Sequence, residues 1–331
     1  MSDLSQGASS KPLISVVVPC FNEEDVLPLT HRRLIETLGG DSRFNLEIVY
    51  VDDGSTDATA AILDGLVNAD DRVVAVQLTR NFGHQPAVTA GLQFATGDAV
   101  AVMDADLQDP PEVILAMIEK WREGYEVVYG IRAERQEGWF KRLGYYTFYR
   151  LFRATAHMAV PVDSGDFALL DRVAVEALNA LPERNRFVRG LRTWIGYKQI
   201  GVAYQRPHRA AGQPKYTFRK LMVLALNGIF NFSAKPLSFI LMLGCISSFL
   251  SAAGFVLFLV WRLTEIPVFG ARPNDAPGFT SIVLLLFLLS GIQLMSIGII
   301  GEYVGRVFDE IKNRPTFLAR PPRRKAKQPP K

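Results

Sequence analysis

Residues 98–112 read DAVAVMDADLQDPPE. An apolar run, 98–103, meets the acids Asp104, Asp106 and Asp109 and then Pro110-Pro111. A short apolar run bounded by turn residues reads as a buried strand. A proline at the first helical position favours a helix start. The stretch is therefore a strand–turn–helix unit with carboxylates at the turn. Side chains i and i+2 share a strand face, so Asp104 and Asp106 are expected to point at one spot. Two carboxylates there repel unless a cation lies between them. Oxygen donors of this kind suit Mg2+ or Mn2+, with substrate phosphates completing the shell. The expectation is a metal–diphosphate site, and the bland alternative is a solvated strand end.

The same unit repeats along the first half of the chain. Residues 14–18, 46–51, 73–78, 99–103 and 126–129 read as strands. Residues 23–38, 57–67, 84–95 and 111–121 read as helices. Such alternation implies a mostly parallel sheet covered by helices. Ligands of these sheets bind beyond the carboxyl ends of the strands. Asn22, Asp52, Asp53, Asp104 and Asp106 all fall there. No Gly-x-Gly-x-x-Gly follows the first strand and no P-loop signature occurs anywhere, so neither usual phosphate-binding loop is present. Cys20 and Cys245 support neither a disulfide framework nor a metal cluster.

Hydrophobic residues make up 49% of the 331 positions. The excess is concentrated late in the chain. Residues 236–261 and 276–301 carry no charge, and each run exceeds the roughly 20 residues that a membrane-crossing helix needs. Basic residues gather outside the pair, at Arg219, Lys220 and Lys235 and again from Arg306 to Lys331. By the positive-inside rule both termini face the cytoplasm. The net charge of +4 then fits anionic lipid headgroups rather than nucleic acid. Residues 139–155 and 216–232 mix aromatic or apolar residues with Lys and Arg, a pattern suited to helices lying in the headgroup region. The tail 320–331, rich in Pro, Lys and Arg, is expected to be disordered.

Several motifs occur in a fixed order: PCFNEE (19–24), VDDGSTD (51–57), RNFGHQPAVTAGL (80–92), DADLQDPPE (104–112), YGIR (129–132), SGDF (164–167), RFVRG (186–190), GQPKY (212–216) and GEYVGR (301–306). Over residues 13–315 this series resembles the family-2 glycosyltransferases of GT-A fold. Within them it is similar to polyprenyl-phosphate glycosyltransferases, most of all the bactoprenol (undecaprenyl-phosphate) glucosyltransferases, with dolichol-phosphate mannose synthases as more distant relatives. The resemblance implies inverting transfer of one sugar, expected to be glucose from UDP-glucose, onto a polyprenyl phosphate at the cytoplasmic face of a bacterial plasma membrane. Other donors, such as GDP-mannose, a UDP-N-acetylhexosamine or an amino-arabinose derivative, share the chemistry. A non-catalytic nucleotide-sugar or lipid-binding protein is the rival of a different class.

The resemblance also implies roles. Pro19, Asn22, Glu23, Asp52, Asp53, Asp104 and Ala105 would hold the nucleotide. Asp104, Asp106 and Gln108 would hold Mg2+ or Mn2+. Arg132 would neutralise the leaving diphosphate, and Asp166 matches the proposed base. Arg142, Arg209 and Lys215 would grip the acceptor phosphate, although Pro214 replaces the Ser of the usual Gly-x-Ser-Lys pattern. His84 and His208 read as polar neighbours rather than metal ligands. The expected architecture is a Rossmann-like, mostly parallel α/β GT-A domain with interfacial helices and a two-helix transmembrane hairpin. Its boundaries are a leader (1–11), a catalytic domain (12–215, with an interfacial helix near 139–157), a juxtamembrane helix (216–235), spans at 236–262 and 276–302 around a loop (263–275), and a basic tail (303–331). Expected partners are the nucleotide sugar, the polyprenyl phosphate, the membrane, further copies of the chain and a flippase of the same pathway; nucleic acid is not among them.

Overall fold

The computed structural model describes residues 11–132, 164–184, 186–205 and 278–325, together with residues 240, 242, 246, 249, 253, 256, 260, 263 and 264; within 278–300 it describes part of the side chains. The interfacial segments 139–157 and 216–235, most of the first expected span, and Arg142, His208, Arg209 and Lys215 lie outside the described residues. The chain divides into two compact units, one containing the sheet and the other the long helix of residues 278–311.

The sheet unit starts with β1 (Leu13–Cys20), α1 (Leu27–Leu38), β2 (Asn45–Asp52), α2 (Thr59–Ala69), β3 (Val73–Gln77), α3 (His84–Phe94), β4 (Ala99–Val102), α4 (Pro111–Arg122) and β5 (Val127–Arg132). It continues with β6 (Ser164–Asp171), α5 (Arg172–Ala180), α6 (Val188–Trp194), β7 (Gln199–Tyr204) and β8 (Arg323–Arg324). The strand order is β7-β5-β6-β4-β1-β2-β3-β8. β1 runs parallel to β2 and β4, β2 to β3, and β5 to β7. β6 and β8 run antiparallel to their neighbours. The expected mostly parallel α/β sheet is the one observed.

The centre of the sheet is β1, where Ile14, Val16, Val17 and Val18 are wholly buried. A strand covered on both faces needs such a continuous apolar run. Pro19 continues the strand, although the sequence reading ended it at Val18. Val17 is the last residue of β1 paired with β4, and the Val17 carbonyl accepts from Met103 N–H, so odd-numbered residues face β4. The N–H that Pro19 lacks would thus have pointed past the end of β4, where a proline costs no ladder bond. Pro111 opens α4, with Glu112 in the first turn and Lys120 and Arg122 in the last, charges that complement the helix dipole.

One reversal matters most for the site. β6 pairs antiparallel with β4, Val102 opposite Ala168. The start of β6 therefore lies at the end of β4, and Asp166 arrives beside Asp104.

Residues 320–325 of the tail depart from its expected disorder, and residues 326–331 lie outside the described residues. Residues 318–325 lie along β3: Thr79 N–H donates to the Leu318 carbonyl at 2.9 Å, Arg320 N–H donates to the Gln77 carbonyl at 2.8 Å, and β8 pairs with Val74 and Ala75. The low-complexity composition suggested no core, but an edge strand asks only for a partner's backbone hydrogen bonds.

In the second unit α7 (Gly278–Ile311) runs for 34 residues. Counting only the described residues, no helix is long and apolar enough to cross a membrane. The spans expected from the sequence therefore remain an expectation, taken up below.

Gly97 packs where no side chain fits. A Cβ there would lie 2.7 Å from the Leu13 carbonyl oxygen and from Ser15 N and Oγ. We expect Gly97→Ala to lower stability by about 1–3 kcal/mol through overpacking, read as a fall of a few degrees in thermal unfolding midpoint.

Candidate active site

The site is built from four stretches at the carboxyl end of the sheet. The turn after β2 comes first. Asp52 and Asp53 are buried, at 0% and 3% exposure. Asp52 accepts from Ser55 N–H at 2.9 Å and from Gln77 Nε2 at 3.4 Å. Asp53 accepts from Phe82 N–H at 2.7 Å and Gly83 N–H at 2.9 Å, one on each oxygen. Burial raises the Asp53 pKa, with those two bonds opposing the shift. Both carboxylates of the expected nucleotide-binding pair are thus held by the protein's own donors at the carboxyl end of β2. Gly54 has φ +68, and a Cβ on it would lie 2.5 Å from the Arg80 carbonyl carbon. Only glycine allows the 80–84 loop to sit so close.

Asn22, with φ 54, is exposed. Its N–H donates to Ser55 Oγ at 3.0 Å, and its Oδ1 accepts from Thr56 N–H at 2.8 Å. Glu23 N–H donates to Thr59 Oγ1 at 2.9 Å. Pro19, Asn22 and Glu23 thus border the β1 and β2 ends together.

The acidic triplet lies in a turn, not on a strand, because β4 ends at Val102. Alternation along a strand is therefore not what aims Asp104 and Asp106. Leu107 adopts φ 56, and Gln108 N–H donates to Asp106 Oδ1 at 3.1 Å. Ala105 is buried, its carbonyl accepting from Thr30 Oγ1 at 2.6 Å. Asp104 keeps 35% of its side chain accessible yet is surrounded by protein. Burial raises its pKa, the charges of Asp166 and Asp106 add to the rise, and His84 opposes it.

Asp166 is the centre of the cluster, with 6% of its side chain exposed. Arg189 Nε donates to Oδ1 at 2.9 Å and Nη2 to Oδ2 at 3.3 Å. Gln85 Nε2 donates to Oδ2 at 3.1 Å, and His84 Nε2 lies 3.2 Å from the same oxygen. His84 Nε2 is also 3.7 Å from Asp104 Oδ1. Burial opposes ionisation of Asp166, but Arg189 and His84 outweigh it and hold the carboxyl well below the usual range. Burial likewise works against the imidazolium of His84, yet Asp166 and Asp104 lift its pKa to about 9.

Two arginines complete the surroundings. Arg192 is buried at 1% exposure, and its Nη1 donates to the Gly165 carbonyl at 3.3 Å. Its guanidinium lies over the Tyr129 ring, 5.2 Å from the centroid. Burial pulls its pKa down to about 10, Asp166 opposing. Arg132 sits at the end of β5, its Nη2 3.2 Å from where a Cβ on Gly165 would stand. Arg132 also bonds the Tyr204 hydroxyl, which donates to Asp109 Oδ1 at 2.6 Å. Tyr204 thereby ties Arg132 to the turn that carries the acids.

His84, Gln85, Arg189, Arg192, Asp109 and Tyr204 were missed or passed over as site residues in the sequence. His84 and Arg189 lie within the RNFGHQ and RFVRG motifs, so the motif itself was the available signal. Tyr204 has no such signal.

Glycosyl transferase family 2 matches residues 15–178. The chain belongs to this family. It is 44% identical over 306 residues to "Uncharacterized glycosyltransferase YkcC" of Bacillus subtilis (strain 168), covering 92% of each chain. It is 40% identical over 306 residues to "Bactoprenol glucosyl transferase" of Shigella phage SfII, covering 92% of this chain and 96% of that protein. A "Prophage bactoprenol glucosyl transferase homolog" of Escherichia coli (strain K12) is 40% identical over 308 residues, covering 92% and 97%. The protein is a glycosyltransferase, and its sheet is the GT-A-like platform of the family.

Two outcomes follow from the geometry. His84 has a folded pKa above its unfolded value near 6.5. Its stabilisation is thus fully present below about pH 6.5 and is lost as pH rises through about 9. In metal-free glycosyltransferase, thermal unfolding from pH 6 to 10 should show this loss, and His84→Asn should lack that component. Tyr204→Phe removes a donor from the buried carboxylate of Asp109. It should cost about 1–3 kcal/mol in denaturant unfolding and lower the transfer rate by loosening Arg132.

Proposed function

We propose that this glycosyltransferase moves one sugar, glucose from UDP-glucose, onto a polyprenyl phosphate of undecaprenyl type, with inversion. The observation that carries the reading is the 40% identity, over 92% of the chain, to proteins named bactoprenol glucosyl transferase. The site's chemistry supports it. A phosphate oxygen of the lipid attacks the sugar C1, the C1–oxygen bond to the nucleoside diphosphate breaks, and the diphosphate leaves with the electron pair.

The residues at the acidic turn suit a divalent cation. Among the described residues no three His, Cys, Asp or Glu side chains gather to hold a metal. Mg2+ commonly takes one or two carboxylates and completes its shell with substrate phosphates. Asp104 and Asp106 supply that pair, with Gln108 beside them, and a cation would offset the burial and the neighbouring carboxylates that raise the Asp104 pKa. When bound, Mg2+ or Mn2+ supplies charge neutralisation on the leaving diphosphate. Arg132 supplies further positive charge on the same side.

Asp166 is best read as a positioning group. A lipid phosphate with a second pKa near 6, like that of phosphorylated side chains, is mostly dianionic at neutral pH. It needs little help from a base. A carboxylate held well below its usual range by Arg189 and His84 is a poor proton acceptor and a stable anchor. Its orientation by four bonds suits holding the sugar or stabilising positive charge at C1.

The membrane reading rests on the sequence. The uncharged runs 236–261 and 276–301 and the basic residues outside them support two spans with both termini cytoplasmic. The large apolar side chains that α7 exposes, among them Ile282, Leu285, Leu286, Leu294 and Ile297, support a lipid environment. Arg142, Arg209 and Lys215 would then meet the acceptor phosphate near the surface. Such anchoring confines enzyme and lipid to one surface and raises their effective concentration.

The test is reconstituted enzyme with undecaprenyl phosphate, Mg2+ or Mn2+, and a panel of radiolabelled nucleotide sugars. Label from UDP-glucose should enter the organic phase and be lost with EDTA. Asp104→Asn and Asp106→Asn should each lower the rate by about a hundredfold or more, the scale of losing one strong electrostatic contact. Transfer from another sugar would replace the donor. An Asp106→Asn enzyme working at the unmodified rate would remove the metal site from the mechanism.

A further inference from the structure

The loop 78–84 carries His84 into the site and has no secondary structure of its own before α3 begins. On its inner side it is held by Asp53, through the N–H groups of Phe82 and Gly83, and by the close approach of Arg80 to Gly54. On its outer side it is held by the C-terminal segment. Leu78 pairs with Ala319 in an isolated antiparallel bridge. Thr79 N–H donates to the Leu318 carbonyl at 2.9 Å, and Arg320 N–H donates to the Gln77 carbonyl at 2.8 Å. Further along, β8 pairs with β3. Three consecutive cations then meet three acids on the sheet unit: Arg323 pairs with Asp64, Arg324 Nη2 with Glu47 Oε1 at 3.3 Å, and Lys325 Nζ with Asp71 Oδ1 at 2.7 Å. The Glu47 contact runs inward, because Glu47 also accepts from Ser15 Oγ at 2.5 Å and from Thr96 N–H at 2.8 Å.

We infer that residues 318–325 are a positioning strap for catalysis: by pairing with residues 77–79 they fix the root of the 78–84 loop and so set His84 against Asp104 and Asp166. Thr79 is the last residue of that root, and His84 follows five positions later. A loop this short, fastened at both ends, carries its last residue to a defined place. With the strap gone, residues 77–79 regain an open edge and the loop retains only its inner contacts. Active-site groups need placement within a fraction of an ångström, and the supporting contacts supply it. The inference rests on the transfer reading only for its kinetic readout.

The experiment compares the full-length enzyme with a chain ending at Arg314, both purified in detergent. Amide exchange of Phe82 and Gly83 is followed with no substrate present, and sugar transfer is measured in parallel. The shortened chain should lose protection at both amides by tenfold or more. Its kcat should fall at least tenfold, with KM for the nucleotide sugar within twofold. A synthetic peptide of residues 315–327 added in trans should recover both. Should the shortened chain fail to fold, Arg320→Pro in the full-length enzyme removes the N–H that Gln77 receives while keeping the rest of the chain, and it should shift both readouts in the same direction. Unchanged protection at Phe82 and Gly83, or an unchanged kcat, would overturn the inference and leave the segment as a cover for the sheet edge. Absence of any lipid-linked product from the unmodified enzyme would instead count against the transfer reading, while the exchange result still decides the strap.

Discussion

The carboxylate of Asp166 carries its charge with 6% of its side chain exposed, and the site is organised around that charge. An ionised group taken out of water is costly unless it is paired and hydrogen-bonded. Here the cost is offset by two nitrogens of Arg189, the amide of Gln85 and the imidazole of His84. Gln85 has a second duty, since its Oε1 accepts from Val188 N–H at 2.8 Å. That bond fastens the start of α6, the helix that presents Arg189. Each partner of Asp166 is thus placed by an element that another partner helps to hold.

This arrangement depends on one strand direction. Had β6 run parallel to β4, its first residues would have emerged at the opposite end of the strands. Because it runs antiparallel, Ser164, Gly165 and Asp166 come to the same end as the turns after β1, β2 and β4. The positive groups His84, Arg132, Arg189 and Arg192 then gather about the start of β6, and His84 also reaches Asp104 at 3.7 Å. Cations and carboxylates thus meet at one end of the sheet.

Much of the frame was legible in the sequence. Apolar runs at 14–18, 46–51, 73–78 and 99–103 are rich in β-branched residues or alanine, are separated by amphipathic stretches, and appear as β1 to β4 with ends shifted by at most two residues. The acids fall just past strand ends, as expected. Their aim was misread, since Asp104 and Asp106 stand in a turn shaped by Leu107 at φ 56, where the alternation of a strand no longer applies. Asp53 also accepts from the backbone N–H groups of Phe82 and Gly83, a contact that no local pattern announces. A histidine without a second ligand at metal spacing reads as a neighbour, and only the approach of Asp166 from 82 positions away reveals its place. The tail was read as disordered from its prolines and charges. Its described part, residues 320–325, is ordered because β3 would otherwise have an unpaired edge and because Asp64, Asp71 and Glu47 stand where its cations fall.

The sequence by itself determined the strand–helix alternation, the parallel core, the family and the acidic strand ends. These depend on local periodicity and on motifs contiguous in the chain. Tertiary structure alone decided which charges meet. Asp166 with His84 and Arg189, Tyr204 with Asp109 and Arg132, and residues 318–325 with the edge of β3 are joined across tens to hundreds of positions. The energy of a buried charge depends on what surrounds it in space, and sequence spacing carries no record of that.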